Sequence, residues 1–144
     1  MREAVTPGLE RFVEAQAPVY ADVLRELAAG RKTSHWMWFV FPQLRSLGRS
    51  ATAKFYGLEG REEAWAYWQH PLLGARLGEC TRLVLATAGR TAHAIFGSPD
   101  DLKLRSCMTL FDVVAPAEPA FRAVLDRFYA GEADPITLAE IGPR

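Results

Sequence analysis

Apolar residues recur along this chain at intervals of three and four, the spacing that places them on one face of an α-helix. No stretch reads as a strand of alternating inward and outward side chains. Leu9, Phe12 and Val13 form one such face. They follow Thr6-Pro7, which reads as a cap with proline at the first helical position. Pro18 opens a second helix with Tyr20, Val23, Leu24 and Leu27 on one side and Gly30 as its stop. In the aromatic run from Trp36 to Pro42, Pro42 steers Phe41 out of helical geometry, so a helix there ends near Val40. A short helix from Ala51 to Tyr56 stops at Gly57, and another covers roughly Glu59 to Gln69. Pro71 begins a third, carrying Leu72, Leu73, Leu77, Cys80, Val84 and Leu85 up to Gly89. Ala92 to Phe96 makes one or two turns before Gly97.

Ser98 then reads as a cap, Pro99 as the first helical position, and Asp100 and Asp101 as first-turn carboxylates that complement the helix dipole. That helix runs to about Val114. Pro116 and Pro119 separate it from Phe121 to Tyr129, and Asp134-Pro135 starts a last helix ending near Ile141. The pattern predicts an all-α chain of about eight short helices in an irregular orthogonal array. It forms one domain over residues 1–144 with its core at about 9–138.

Composition narrows the function classes. The 144 residues carry 17 basic and 17 acidic side chains, a balance that argues against a general nucleic-acid or membrane binder. The longest apolar run, Trp36 to Pro42, is far below the ~20 residues of a membrane span. The first residues show no secretory h-region, so a cytoplasmic location is expected. Cys80 and Cys107 form no C-x-x-C pair. Together with His35, His70 and His93 they show no metal-ligand spacing, and no motif implies a cofactor.

Three stretches carry candidate chemistry. From Arg31 to Gln43 the chain sets cation, hydroxyl and imidazole among large aromatics, the makings of an apolar pocket with a few placed polar groups. Trp36 or Trp38 can stack on a planar ligand, His35 can transfer protons near neutral pH, and Lys32, Ser34 and Gln43 can contact the ligand. The same run also reads as a central core helix with His35 bonded to a backbone carbonyl. From Arg45 to Lys54, Arg45, Arg49 and Ser50 stand at a helix start whose free N–H groups would hold a phosphate; a plain Ser50 cap explains it too. From Asp100 to Ser106, Lys103 and Ser106 can present an amine beside a hydroxyl. Asp101 and Arg105 can pair on a solvated face, so a helix start with ordinary surface charges explains this stretch as well.

Arg31 to Gln43, His70 to Leu77 and Gly97 to Phe111 together resemble the three signature blocks of a bacterial family, the domain-of-unknown-function family 1810, whose members are sometimes mislabelled calpastatin. The resemblance spans about Leu9 to Leu138 and implies a small, mainly helical fold without an assigned activity. Cys107 stands where the family more often has serine.

The leading expectation is an enzyme or binder for a phosphate-bearing planar ligand, a nucleotide or an NAD-derived metabolite. His35, Asp101, Lys103 and Ser106 are its candidate catalytic residues. Lys32, Ser34, Trp36, Trp38, Gln43, Arg45, Arg49, Ser50 and Arg105 are its candidate ligand contacts. The rival is a protein-interaction module with an exposed aromatic patch around Trp36 to Phe41. Single-stranded nucleic-acid binding is disfavoured by the neutral charge. A shared site further requires that the three blocks meet, with His35 in reach of Ser98 to Ser106, and that the ligand is an anion rather than a metal.

Overall fold

The computed structural model describes residues 8–142. It is all-α, with ten α-helices among the described residues rather than about eight. In chain order these are α1 (Glu10–Gln16), α2 (Tyr20–Ala28), α3 (Met37–Val40), α4 (Ala51–Phe55) and α5 (Arg61–Gln69). After them come α6 (Leu73–Ala86), α7 (Ala92–Phe96), α8 (Asp100–Val114), α9 (Pro119–Phe128) and α10 (Pro135–Ile141). A 3₁₀ turn over Arg45–Leu47 lies between α3 and α4, and one isolated parallel bridge joins Leu44 to Leu58. None of the described helices is long and apolar enough to cross a membrane.

The core is organised around α8. Every residue from Ser106 to Val113 is buried, so this stretch has no solvent face, and the helix packs against α5, α7, α9 and α10. Aromatic contacts tie three other helices to it. Phe12 meets Tyr67 edge-on at 5.0 Å, Tyr67 meets Phe111 at 5.7 Å, and Phe111 meets Phe121 at 5.7 Å. The joint between α5 and α6 is equally tight. A Cβ on Gly74 would lie 2.0 Å from the carbonyl oxygen of Trp68, so only glycine lets α6 start there. His70 turns the corner with its side chain, Nδ1 accepting from the backbone N–H of Leu72 at 3.1 Å and of Leu73 at 3.2 Å.

Arg11 fixes the end of α4. Its buried guanidinium donates to the carbonyls of Phe55 at 2.7 Å and Gly57 at 3.0 Å, where the helix dipole leaves negative charge. The chain then passes so close to the 3₁₀ turn that a Cβ on Gly57 would lie 2.3 Å from the Cα of Arg45.

Two helix starts differ from expectation. The Thr6-Pro7 start lies outside the described residues. Ser98 does not cap α8: Pro99 takes that position, and its carbonyl accepts from Leu102 and Lys103, so Ser98 falls outside the first turn.

Candidate functional site

The loop between α2 and α3 has no regular structure of its own and is built on one carboxylate. Val23 and Leu27 turn the apolar face of α2 into the core, and Glu26, beside them, is buried with them. Its Oε1 accepts from the N–H of Thr33 at 2.7 Å, the N–H of Ser34 at 3.0 Å and the indole N–H of Trp36 at 2.9 Å. Its Oε2 accepts from the Ser34 hydroxyl at 2.6 Å. Burial alone would raise the Glu26 pKa. The hydrogen bonds from Ser34, Thr33 and Trp36 outweigh it and bring the group from 4.5 down to about 2.

Lys32 continues the chain of contacts from this loop to α8. Its backbone N–H donates to Ile95 at 2.8 Å. Its ammonium lies 5.0 Å from the centre of the Trp36 ring, donates to the Ser34 carbonyl, and pairs with Asp100 Oδ2 at 2.9 Å. Asp100 Oδ1 in turn lies 3.9 Å from the ammonium of Lys103, one turn along α8, and Lys103 stands 5.8 Å from the Trp38 ring.

Lys103 and Trp38 border a narrow cleft whose accessible volume is about 10 Å³, roughly the room of one water. Met37, Trp38 and Phe41 come from α3 and its exit, Ala53, Tyr56 and Gly57 from α4 and its end, and Gln43 from the segment between. The Gln43 backbone is used, its carbonyl accepting from Leu58 at 3.0 Å. Its half-buried side-chain amide has no hydrogen-bond partner among the described residues. A donor–acceptor group set in an aromatic-walled cleft and left unsatisfied by the protein is suited to a ligand.

A larger, open groove lies elsewhere, lined by Arg45, Lys54, Arg61, Glu59, Glu62, Glu63 and Glu140 among others. Its charges are of both signs, and several are already used: Arg45 pairs with Glu59 at 3.5 Å, and Glu63 accepts from the Glu59 N–H and pairs with Arg11. It has no aromatic wall, so of the two concavities only the small cleft offers ring faces to a planar ligand, and it must widen to admit one.

The predicted site residues divide among several places. The first and third blocks meet through Lys32 and Asp100. The second reaches the first through Gln16, which accepts from Arg76 at 3.2 Å and donates to the Phe39 carbonyl at 2.7 Å. His35 is exposed, makes no hydrogen bond or ion pair among the described residues, and lines neither concavity. Ser34 staples the loop to Glu26, and Trp36, 1% exposed, is interior.

The remaining residues are mostly committed to local contacts. Ser50 caps α4, its hydroxyl accepting from Ala53 at 3.0 Å, and exposed Arg49 lines neither concavity. Asp101 accepts from Leu102 and lies 3.4 Å from His93 rather than pairing with Arg105. Arg105 pairs with Asp134 at 3.4 Å, and the Ser106 hydroxyl donates to the same carboxylate at 3.1 Å. The expected amine–hydroxyl pair of Lys103 and Ser106 does not form, because Asp134 holds Ser106 as part of the α10 cap, with Thr137 donating from both N–H and hydroxyl. Burial pushes both thiols up, that of Cys80 to about 12, which leaves neither as a ready nucleophile. Among the described residues no group of three or more His, Cys, Asp and Glu stands together to hold a metal.

Sequence reasoning missed Glu26 and Tyr56 and read Asp100 only as a dipole charge. The signal for Glu26 was present: a glutamate three residues after Val23 and next to Leu27 borders the buried face.

A family model described as protein of unknown function (DUF1810) matches residues 6–141. No curated protein matches the chain. Among solved structures, the chain is similar to the conserved hypothetical protein Rv1873 from Mycobacterium tuberculosis, with a TM-score of 0.92 and 56% identity. The match covers 94% of this chain and 97% of that one.

Proposed function

The chain belongs to the DUF1810 family, and we propose that it binds a small planar anion, of the class that includes nucleotides and NAD-derived metabolites, at Trp38, where the cleft of about 10 Å³ widens to admit the ring. One observation carries this reading: the unsatisfied amide of Gln43 and the ammonium of Lys103 share a cleft walled by Met37, Trp38, Phe41 and Tyr56. Trp38 and Tyr56 offer ring faces, Gln43 a donor and an acceptor for ring edges, and Lys103 a counter-charge for the anionic group. The lining offers the Lys103 amine and the Tyr56 phenol but no serine, threonine, cysteine or histidine beside them, and the reading is one of recognition. The burial of Trp36, Phe39 and Phe41 removes the exposed aromatic patch that the interaction reading needs.

The test is a thermal-shift screen of nucleotides and phosphorylated metabolites, followed by calorimetric titration of the hits. A ligand at a hundred times its Kd adds about 2.7 kcal/mol and raises the melting temperature by several degrees. Lys103→Ala and Trp38→Ala should each weaken a hit by about tenfold or more. Binding that survives both changes but is lost in Arg49→Ala would move the anion to the start of α4 and refute the cleft.

A further inference from the structure

The two walls of the cleft beside Trp38 are built differently. Met37, Trp38, Phe41 and Lys103 stand on α3, its exit and α8, and Met37 and Phe41 are buried in the core. Ala53, Tyr56 and Gly57 stand on a loop of thirteen residues, Arg45 to Gly57, which holds the 3₁₀ turn and α4. The loop leaves the body through a narrow neck. There the Leu58 N–H donates to the Gln43 carbonyl at 3.0 Å and the Arg45 N–H to the Leu58 carbonyl at 2.8 Å, with Leu44 and Leu58 buried beside them.

Beyond the neck the loop packs mainly on itself. α4 rests on the 3₁₀ turn, Gly48 lies against Ala53, Ser50 caps α4, and Phe55 meets Tyr56 edge-on at 4.8 Å. Close ends and internal packing are the marks of an Ω-loop. Its hold on the body is light. Ala53 and Gly57 are its buried residues, neither with a large side chain, and Leu47 and Tyr56 are half-buried. The Tyr56 ring rests on Phe12 and Phe39, at 5.9 and 5.3 Å. The polar tie is Arg11, which donates to the carbonyls of Phe55 and Gly57 and pairs with Glu63 at 3.4 Å.

Resting on the cleft reading, we infer that residues 45–57 form a hinged lid closed over Trp38, and that Arg11 is its latch. Closed, the lid leaves about 10 Å³, the room of one water. Swung about the neck, it uncovers the Trp38 ring and lets a planar ligand seat between that ring and Tyr56. Little large apolar surface leaves the body in this motion, so it proceeds without unfolding the core.

Met37→Cys reports the lid directly, because Met37 lies on the buried floor that the lid covers. The rate at which a thiol reagent labels position 37 is measured on the folded chain, with Cys80 and Cys107 as markers of whole-chain unfolding. Position 37 should label about a hundredfold faster than the markers, at a rate that changes little with urea below the unfolding transition. Adding Arg11→Met should speed labelling at position 37 by about tenfold and leave the markers unmoved. Arg11 is buried and its loss can weaken the whole chain, so Ala53→Asp gives a second route: a carboxylate at that buried position opposes closure of the lid and should have the same effect.

Position 37 labelled only in step with Cys80 and Cys107 would overturn the lid. So would labelling that neither Arg11→Met nor Ala53→Asp accelerates beyond the markers. The cleft is judged separately, by the response of hits from the screen to Lys103→Ala and Trp38→Ala. Hits that respond to both, on a chain whose position 37 labels only with the markers, would overturn the lid and keep the cleft. Hits indifferent to both, on a chain whose position 37 labels early, would keep the lid and overturn the cleft.

Discussion

Replacing Glu26 by glutamine changes one charge on α2, beneath the loop that carries Lys32 and Trp36, and little else. The amide oxygen can take the place of Oε1 and accept from Thr33, Ser34 and Trp36, while its NH₂ faces a Ser34 hydroxyl that can turn to accept. The carboxylate titrates at about 2 in the fold against 4.5 ordinarily, a difference of about 3 kcal/mol of stability. The sign follows from a depressed pKa. The contribution is complete above 4.5 and disappears as the pH falls through about 2. Urea unfolding of parent and Glu26→Gln, followed by tryptophan emission, should give a gap of about 2–3 kcal/mol at pH 7 and about half of that near pH 3. Subtracting the two chains cancels other acid-sensitive groups, including Asp134, which is also held below its ordinary value. Its burial acts to raise it and is outweighed by hydrogen bonds from Thr137 and Ser106 and by Arg105. A gap of the same size at pH 7 and pH 3 would refute the reasoning, since the stabilisation would then not come from the charge.

Other substitutions read other parts of the structure. Gly74→Ala drives a Cβ to 2.0 Å from the Trp68 carbonyl and should cost about 3 kcal/mol; an unchanged melting temperature would mean that α5 and α6 do not cross this closely. Ser50→Ala should lose about 1 kcal/mol of stability through the α4 cap and leave ligand titrations unchanged, whereas a loss of affinity would point to an anion at that helix start. Cys80 and Cys107, buried and with raised pKa values, should not react with a thiol-specific reagent until denaturant is added; prompt labelling of the native chain would contradict their burial.

The helical architecture was legible because its signals are local. Gly30, Gly97 and Gly131 stop helices at φ of +73°, +73° and +80°, the left-handed region that glycine enters without penalty. Asp134 with Pro135 starts α10 as the pair predicts, its carboxylate accepting from the Thr137 N–H at 3.1 Å. The site was legible only in part, because its contacts are remote in sequence. Lys32 and Asp100 pair across the fold, and Gln43 and Lys103 line one cleft, with no motif to link them. His35 misleads for the same reason. Adjacent residues in an irregular loop point in different directions, so the imidazole faces solvent while Lys32 and Trp36 on either side of it turn inward. Ser106 reads as a reactive hydroxyl until Asp134, twenty-eight residues on, is seen to hold it.

The complete burial of α8 from Ser106 to Val113 also governs how the fold breathes. Water reaches the peptide groups of a half-exposed helix when a single turn frays, whereas a helix enclosed on every side must wait for its neighbours to separate. Backbone deuterium uptake at Cys107 to Val113 should therefore proceed only through global opening, so its rate is an internal gauge of the stability of the whole chain. The five-residue α4, with every residue but Ala53 exposed, opens by itself and should take up deuterium orders of magnitude sooner. The fold thus pairs a slow interior axis with a fast rim, and Tyr56 stands on that rim at the edge of the cleft.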